Sequence, residues 1–487
     1  MHKTFKANLF FSMSIVFVMF FLTSCNHQKQ VAESTPIQKP NIIYILADDL
    51  GYGDLSLTGQ EKFSTPNIDK LARNGMFFTE HYSGSTVCAP SRSALMTGQH
   101  TGHTFVRGNR EVQPEGQEPL GGSEVTIPEL LKSTGYKTGA FGKWGLGFPG
   151  SEGDPNNQGF DEFYGYNCQR MGHNYYPYHL WHNQAKKLLE GNKEKNTEEY
   201  GPALIHQQVL SFIETNKDTP FFLYYPTIIP HAELFAPEEY MAKFRGKLLP
   251  EKDYKGVDDG KNYRTGGYGS QQESHAAFAA MITLLDDYVG NVVKKVEELG
   301  IADNTIIIFT SDNGPHKEGG ADPDYFNSNA DLKGYKRDLY EGGIRVPLIA
   351  SWPGKIKENT TSGHISAFWD FLPTVCDLAQ IEKPKNIDGI SYLPELVGLT
   401  QDRHDYLYWE FLEQGGKQAV RLGEWKGVRL KMTNDASAPI ELYNLKNDIG
   451  EQQNIAAMHP DIVEKMANIM QKEHTPSEVF KFGFEKK

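Results

Sequence analysis

Asn41-Ile42-Ile43-Tyr44-Ile45-Leu46-Ala47-Asp48-Asp49 is the stretch that decides the architecture. Its β-branched and large apolar side chains run without a polar interruption and then stop at two carboxylates. A strand buried on both faces of a parallel sheet reads this way, because neither face alternates toward water. The same pattern returns three times. Thr138 to Phe141 runs into Gly142-Lys143-Trp144, Phe221 to Tyr225 into Pro226 and then Pro230-His231, and Thr305 to Phe309 into Ser311-Asp312-Asn313-Gly314.

Helical patterns lie between these strands. Short ones are expected over residues 68–74, 91–96 and 127–133. Over residues 273–299, Ala277, Met281, Leu284, Leu285, Tyr288, Val292 and Val296 recur at helical spacing, and Gly300 supplies the stop. Strands alternating with helices predict an α/β fold with a large, mostly parallel or mixed sheet sandwiched by helices. Residues 247–272, rich in Gly, Tyr and charge, read as a long loop. Beyond residue 394 the segments around Tyr406-Leu407-Tyr408-Trp409, 418–422, 425–431 and 441–443 read as short strands joined by tight turns, and residues 461–472 as a helix. This predicts a catalytic domain over residues 41–394 and a smaller C-terminal α+β domain of antiparallel strands and a helix over residues 395–487.

Composition sets the limits. The chain has 487 residues, 39% hydrophobic and 12% aromatic, enough for a sizeable core, and its net charge of -13 opposes binding to nucleic acid. Lys3 and Lys6 precede an apolar run from Leu9 to Leu22 that is shorter than the roughly 20 residues of a spanning helix and reads as a signal peptide. It ends in Leu22-Thr23-Ser24-Cys25, which resembles a bacterial lipobox. Residues 1–24 are therefore expected to be a lipoprotein signal peptide and Cys25 the lipidated residue. Residues 25–40 form a polar tether, and the protein is expected to be held on the periplasmic side of the outer membrane or at the cell surface. Cys168 and Cys376 are either a disulfide pair or two buried thiols.

In open α/β sheets, ligands bind beyond the carboxyl ends of the strands. Here those ends carry Asp48-Asp49, Lys143, His231 and Asp312-Asn313, which the fold would gather on one rim. Three carboxylates and an amide are hard oxygen donors. They suit one divalent cation, Ca²⁺ or Mg²⁺, rather than zinc; turn and helix-cap roles are the alternative for each alone.

Cys88-Ala89-Pro90-Ser91-Arg92, followed by Ser93-Ala94-Leu95-Met96-Thr97-Gly98, resembles the C-x-P-x-R signature of the type I sulfatases, whose cysteine is oxidised to formylglycine. The resemblance extends from about Pro40 to Tyr443, and includes Tyr340-Glu341-Gly342-Gly343-Ile344-Arg345-Val346-Pro347. It implies an alkaline phosphatase-like fold, a formylglycine made from Cys88 by a formylglycine-generating or anaerobic sulfatase-maturating enzyme, and a Ca²⁺ ion held by Asp48, Asp49, Asp312, Asn313 and residue 88. It also implies that Arg92 orients the nucleophile, that Lys143 and Lys336 bind sulfate oxygens, and that His231 protonates the leaving alcohol. The hydrated aldehyde offers two hydroxyls on one carbon, so one can attack sulfur and the other can expel sulfate afterwards.

One position departs from the family pattern. The run Gly142-Lys143-Trp144-Gly145-Leu146-Gly147 has glycine where the family often has the histidine that deprotonates the second hydroxyl. His173 is the replacement expected here. His100, His103, Arg107 and Asn109 are candidates for contacts to a sugar, with holding the loop the alternative for Arg107 and Asn109. The function expected is glycan exo-sulfatase action on a sulfated saccharide. The rivals are a phosphodiesterase or phosphonate monoester hydrolase of the same superfamily and a non-catalytic glycan-binding lipoprotein.

Overall fold

The computed structural model describes residues 39–433 and 435–486. The expected signal peptide, the lipidation site Cys25 and all but the end of the tether lie outside the described residues. In chain order the strands are β1 (Asn41–Ala47), β2 (Met76–Tyr82), β3 (Glu111–Val112), β4 (Gly116–Gln117), β5 (Lys137–Lys143), β6 (Glu162–Tyr166), β7 (His179–His182), β8 (Ala185–Leu188), β9 (Phe221–Pro226), β10 (Thr305–Ser311), β11 (Arg345–Ser351), β12 (Thr360–Ser362), β13 (Ser366–Ala367), β14 (Leu407–Phe411), β15 (Lys417–Leu422), β16 (Trp425–Leu430) and β17 (Ile440–Asn444). Eleven of them form one sheet in the order β12-β2-β11-β10-β1-β9-β5-β6-β7-β8, with β13 also paired to β2.

The centre of this sheet is the parallel block β10-β1-β9-β5-β6. Every residue of β1 is buried, as its unbroken apolar run requires. Ile43 and Ile45 pack with Ile68, Val209, Phe212, Leu284 and Val292 from the helices Pro66–Arg73, Gly201–Thr215 and Ser274–Glu298. Ile42, Tyr44 and Leu46 pack on the other face with Leu95, Leu131, Phe371 and Leu372 from the helices Cys88–Thr97, Ile127–Lys132 and Phe371–Ala379. The layers are helix, sheet, helix, as the alternation of elements predicts.

Register aligns the strand ends. Ala47 lies opposite Ser311, and Leu46 opposite Pro226. Asp48-Asp49, Asp312-Asn313, the turn that leads to His231, and Lys143 therefore leave the sheet at one edge. Close backbone approach fixes this edge further. A Cβ on Gly142 (φ 138°) would lie 1.9 Å from the Pro226 carbonyl oxygen, so only glycine lets β5 run against the end of β9.

The smaller sheet is antiparallel in the order β14-β15-β16-β17. The helix Pro460–Glu473 covers one face through Met466, Ile469 and Met470. The other face presents Leu407, Trp409, Phe411, Ala419 and Val428 to Tyr82, Val87, Ala94 and Trp369 of the large layer, in one continuous apolar cluster. The stretch 247–272 carries a single isolated bridge, Tyr254 to Gln271, and is otherwise irregular. Cys168 and Cys376, whose pairing the sequence leaves open, are both buried free thiols.

Candidate active site

Cys88 opens the helix Cys88–Thr97, all ten residues of which are buried. Its Sγ lies 3.3 Å from Asp48 Oδ1 and 3.5 Å from Lys143 Nζ. Burial first, then the charges of Asp312 and Asp48, push the Cys88 thiol well above its ordinary pKa. As a thiol this residue stays protonated and is a poor nucleophile.

Arg92, one turn later on the same helix, is fully buried. It donates from Nη2 to Asp312 Oδ2 at 2.8 Å and from Nη1 to the Lys143 carbonyl, and it lies 3.7 Å from Asp48 Oδ2. Lys143 Nζ pairs with Asp48. Lys336 Nζ donates to Asp49 Oδ2 at 2.8 Å and sits 3.1 Å from His231 Nε2. Asn313 donates from Nδ2 to Asp49 Oδ1 at 2.7 Å, and the Asp49 N–H donates to Asp312 Oδ1 at 3.1 Å. The three carboxylates therefore face three cations in a water-poor pocket. Burial opposes ionisation of Asp49, but Lys336, His316 and Lys143 outweigh it and hold the carboxyl well below the usual range. Burial and the Asp48 charge push Asp312 up to about 6, against the pull of Arg92.

This donor set can hold a metal ion. Asp48, Asp49, Cys88 and His231 each offer a ligand atom, all within 4.8 Å of one another. Asn313 Oδ1 is buried with no hydrogen-bond partner although its Nδ2 donates to Asp49, and an unpaired buried oxygen beside a carboxylate is one that a cation can take up.

The histidines stack beside the cluster. His231 lies between His173, at 5.0 Å between ring centres, and His316, at 5.3 Å. Its Nδ1 lies 2.5 Å from the Ala232 carbonyl oxygen, which turns Nε2 toward Lys336. Burial, then Lys336 and Lys143, depress the His231 pKa well below its ordinary value. Burial likewise takes His173 down to about 4, although its Nδ1 contact with the Gly266 carbonyl at 2.9 Å works the other way. The segment 247–272 thus returns to the site, because Gly266 and Tyr268 both touch the histidine stack.

A cavity of about 270 Å³ opens over Cys88, His173, His231 and Lys336. Its wall also contains Asn109, Glu111, Gln117, Gln169, Arg170, Tyr268, Glu318 and Arg337. Sequence reading names only Asn109 among these; its Oδ1 accepts from the Ala89 N–H at 3.0 Å. Glu318 lies 3.5 Å from Lys336 Nζ and 2.5 Å from Arg337 Nη1, and accepts from the Tyr268 hydroxyl at 3.0 Å. His316 and Glu318 could have been found by following the chain beyond Asp312-Asn313, since that loop leaves the same strand end.

His100, His103 and Arg107 point elsewhere. His100 meets Glu473 at 3.2 Å, His103 meets Asp388 at 2.9 Å, and Arg107 meets Glu410 at 3.2 Å and the Thr475 carbonyl at 2.6 Å. These residues tie the loop after the Cys88 helix to Asp388 and to the C-terminal layer and do not line the Cys88 cavity. Nearness to the motif in sequence places them beside the helix end, but partners hundreds of residues away set where they point.

The family model for sulfatases matches residues 40–381, and the model for the C-terminal part of N-sulphoglucosamine sulphohydrolase matches residues 334–475. The chain belongs to the sulfatase family. It is an enzyme of the sulfuric ester hydrolase class. N-acetylgalactosamine-6-sulfatase of Mus musculus is 32% identical over 416 residues, covering 82% of this chain and 73% of that protein. N-acetylgalactosamine-6-O-sulfatase of Bacteroides thetaiotaomicron is 29% identical, covering 92% and 96%. Among solved structures, Ps i-CgsB in complex with k-i-k-neocarrahexaose superposes on this sulfatase with a TM-score of 0.74 at 29% identity, covering 92% of this chain and 96% of that one.

Proposed function

We propose that this sulfatase removes a sulfate ester from a terminal sugar ring of a glycan, using a formylglycine made from Cys88 and one bound Ca²⁺-type ion. The observation that carries the reading is the position of Cys88 Sγ at the floor of the cavity, 3.3 Å from Asp48 and 3.5 Å from Lys143. The motif helix is buried, but it is packed into the acidic and amide cluster rather than remote from it. The cavity of about 270 Å³ is large enough to admit a sugar ring that carries the ester. The relatives, sulfatases of N-acetylgalactosamine and a structure in complex with k-i-k-neocarrahexaose, support a sulfated carbohydrate as substrate.

Asp48, Asp49, Asp312 and Asn313 would hold the ion, which when bound polarises the ester oxygens and lowers the charge on the sulfate. Lys143 and Lys336 are placed to take the remaining sulfate oxygens, and each now rests on a carboxylate that the ion would neutralise. Arg92 fixes the first turn of the helix relative to Asp312 and so sets the direction of the residue 88 side chain. His231 presents Nε2 to the Lys336 ammonium, so a proton taken up from Lys336 can be handed on from Nε2 to the leaving alcohol. His173, stacked on His231, is the proposed base for release of the aldehyde hydrate. A formylglycine-generating or anaerobic maturating enzyme would oxidise Cys88, and lipidation at Cys25 would hold the mature enzyme at the outer membrane.

The test is sulfate release from a panel of defined sulfated mono- and disaccharides, with enzyme co-produced with a maturating enzyme. The Cys88 peptide should be about 18 Da lighter than the thiol form, as conversion to the aldehyde requires. Release of sulfate from none of the saccharides, with the peptide converted, overturns the glycan reading; turnover by a fully unconverted peptide overturns the nucleophile.

A further inference from the structure

The segment that continues from β6 carries a side chain with no partner. Gln169 anchors its backbone N–H on Gln117 Oε1 at 3.2 Å, and the residue borders the Cys88 cavity. The residue is 8% exposed, and both carboxamide atoms are sealed from solvent without any hydrogen-bond partner. Their berth is the surface of Gly145. That residue has φ +77°, and a Cβ there would lie 2.0 Å from Gln169 Nε2. The left-handed φ favours glycine at position 145, and the Gln169 amide fills the space that a side chain there would take.

Other polar side chains of the wall are engaged. Arg170 pairs with Glu111, Arg337 and Tyr268 with Glu318, and His173 with Gly266. A carboxamide with no protein partner breaks no protein hydrogen bond when a ligand draws it out, so a bond to substrate is made at little cost in lost bonds. An amide also donates and accepts at once without adding charge, which matches a sugar hydroxyl and not a second anion.

We infer that Gln169 is a specificity-determining substrate contact: its carboxamide turns from Gly145 into the cavity and binds a ring hydroxyl next to the sulfated carbon. The inference rests on the sugar-ester reading above. Because an amide takes up no proton, Gln169 contributes binding and leaves proton transfer to the histidines.

The experiment compares the wild type with Gln169→Met, which keeps the length of the side chain and removes its hydrogen bonds. The probes are the sulfated monosaccharide best cleaved in the panel and its deoxy analogues at each hydroxyl neighbouring the sulfated carbon. For Gln169→Met, KM should rise roughly 10- to 100-fold with kcat within about 3-fold. The melting temperature should not fall, because an unpaired buried amide has been replaced by an apolar chain. The wild type should lose the same factor on one deoxy analogue, and the variant should lose nothing further on it. An unchanged KM, or a variant that still discriminates against that analogue as the wild type does, overturns the inference while leaving the sugar reading standing. A lower melting temperature with unchanged KM assigns Gln169 a structural role only. A wild type inactive on every sulfated saccharide overturns both.

Discussion

Arg92 and Cys88 share a helix, but they answer to different physics. The guanidinium of Arg92 is fully buried, and its bonds run to Asp312 and the Lys143 carbonyl. Removing one partner of such a pair strands a buried charge and costs roughly 3–5 kcal/mol. Asp312→Ala should therefore abolish sulfate release and lower the melting temperature by several degrees, whereas Cys88→Ala should abolish release with the melting temperature nearly unchanged. Thermal melts beside a sulfate assay separate the two, and equal melting temperatures would contradict the role given to Arg92. Asn313 makes a gentler test. Asn313→Ala leaves Lys336 on Asp49 but removes the oxygen that has no partner in the protein. Wild type stripped with a chelator should lose activity and regain it on adding Ca²⁺, and the variant should need at least about tenfold more Ca²⁺ for half recovery. At this scale the sequence was most informative where a residue ends a buried strand. Asp48, Asp49, Lys143, Asp312 and Asn313 were legible because a run of apolar residues stopping at a polar one has few structural meanings. Glu318, Arg337, Tyr268 and Gln169 sit on irregular segments with no periodicity, so nothing local marks them.

Strand β5 shows how an element, not a side chain, delivers Lys143. It runs between β9 and β6, and at its end Gly142 presses its Cα against the Pro226 carbonyl. Gly165 of β6 makes the matching approach to Gly142, where a Cβ would lie 1.8 Å from the Gly142 oxygen. An added methyl cannot be absorbed by a flexible neighbour here, because the atoms it meets are backbone. Gly142→Ala should cost at the upper end of the roughly 1–3 kcal/mol typical of overpacking. It should also lower kcat/KM by displacing Lys143 from Asp48 and Cys88. Substrate kinetics and a melt on one preparation decide this; an unperturbed kcat/KM would mean that the strand end is not what positions the lysine. The central strands were readable as elements because burial on both faces leaves a continuous apolar signature. The edge was not. β8 is exposed at all four of its residues, and β11 inserts antiparallel between β10 and β2 through pairings that no local pattern announces.

The whole molecule is joined by its second layer, which the sequence announced as a change of character after residue 394 without revealing how intimately it docks. Trp409 packs against Trp369, and Lys426, fully buried, donates to Glu341 Oε1 at 2.8 Å across the seam. Two buried histidines outside the Cys88 cavity tie the stability of this assembly to pH. His81 on β2 contacts Ser366 Oγ of β13 at 2.8 Å, and burial, helped by His364, takes its pKa down to about 3. His206 stacks on Tyr288 at 4.0 Å, and burial takes it down to about 4. In the unfolded chain both rings protonate near pH 6.5. Below that pH the unfolded state binds protons that the folded state refuses, so stability falls as pH falls, by roughly 1.4 kcal/mol per pH unit for each ring until its folded pKa is reached. Urea melts at pH 7, 6 and 5 should show this decline. His81→Gln keeps a group able to bond Ser366 and does not titrate, so its decline should be shallower by the share of one ring, and His81→Gln with His206→Gln shallower by the share of two. Sulfate release at pH 7 should stay at the wild-type level in both, since neither ring lines the cavity over Cys88. Slopes identical to wild type would show that these rings take up protons as readily in the folded protein as in the unfolded chain and that its acid sensitivity comes from elsewhere.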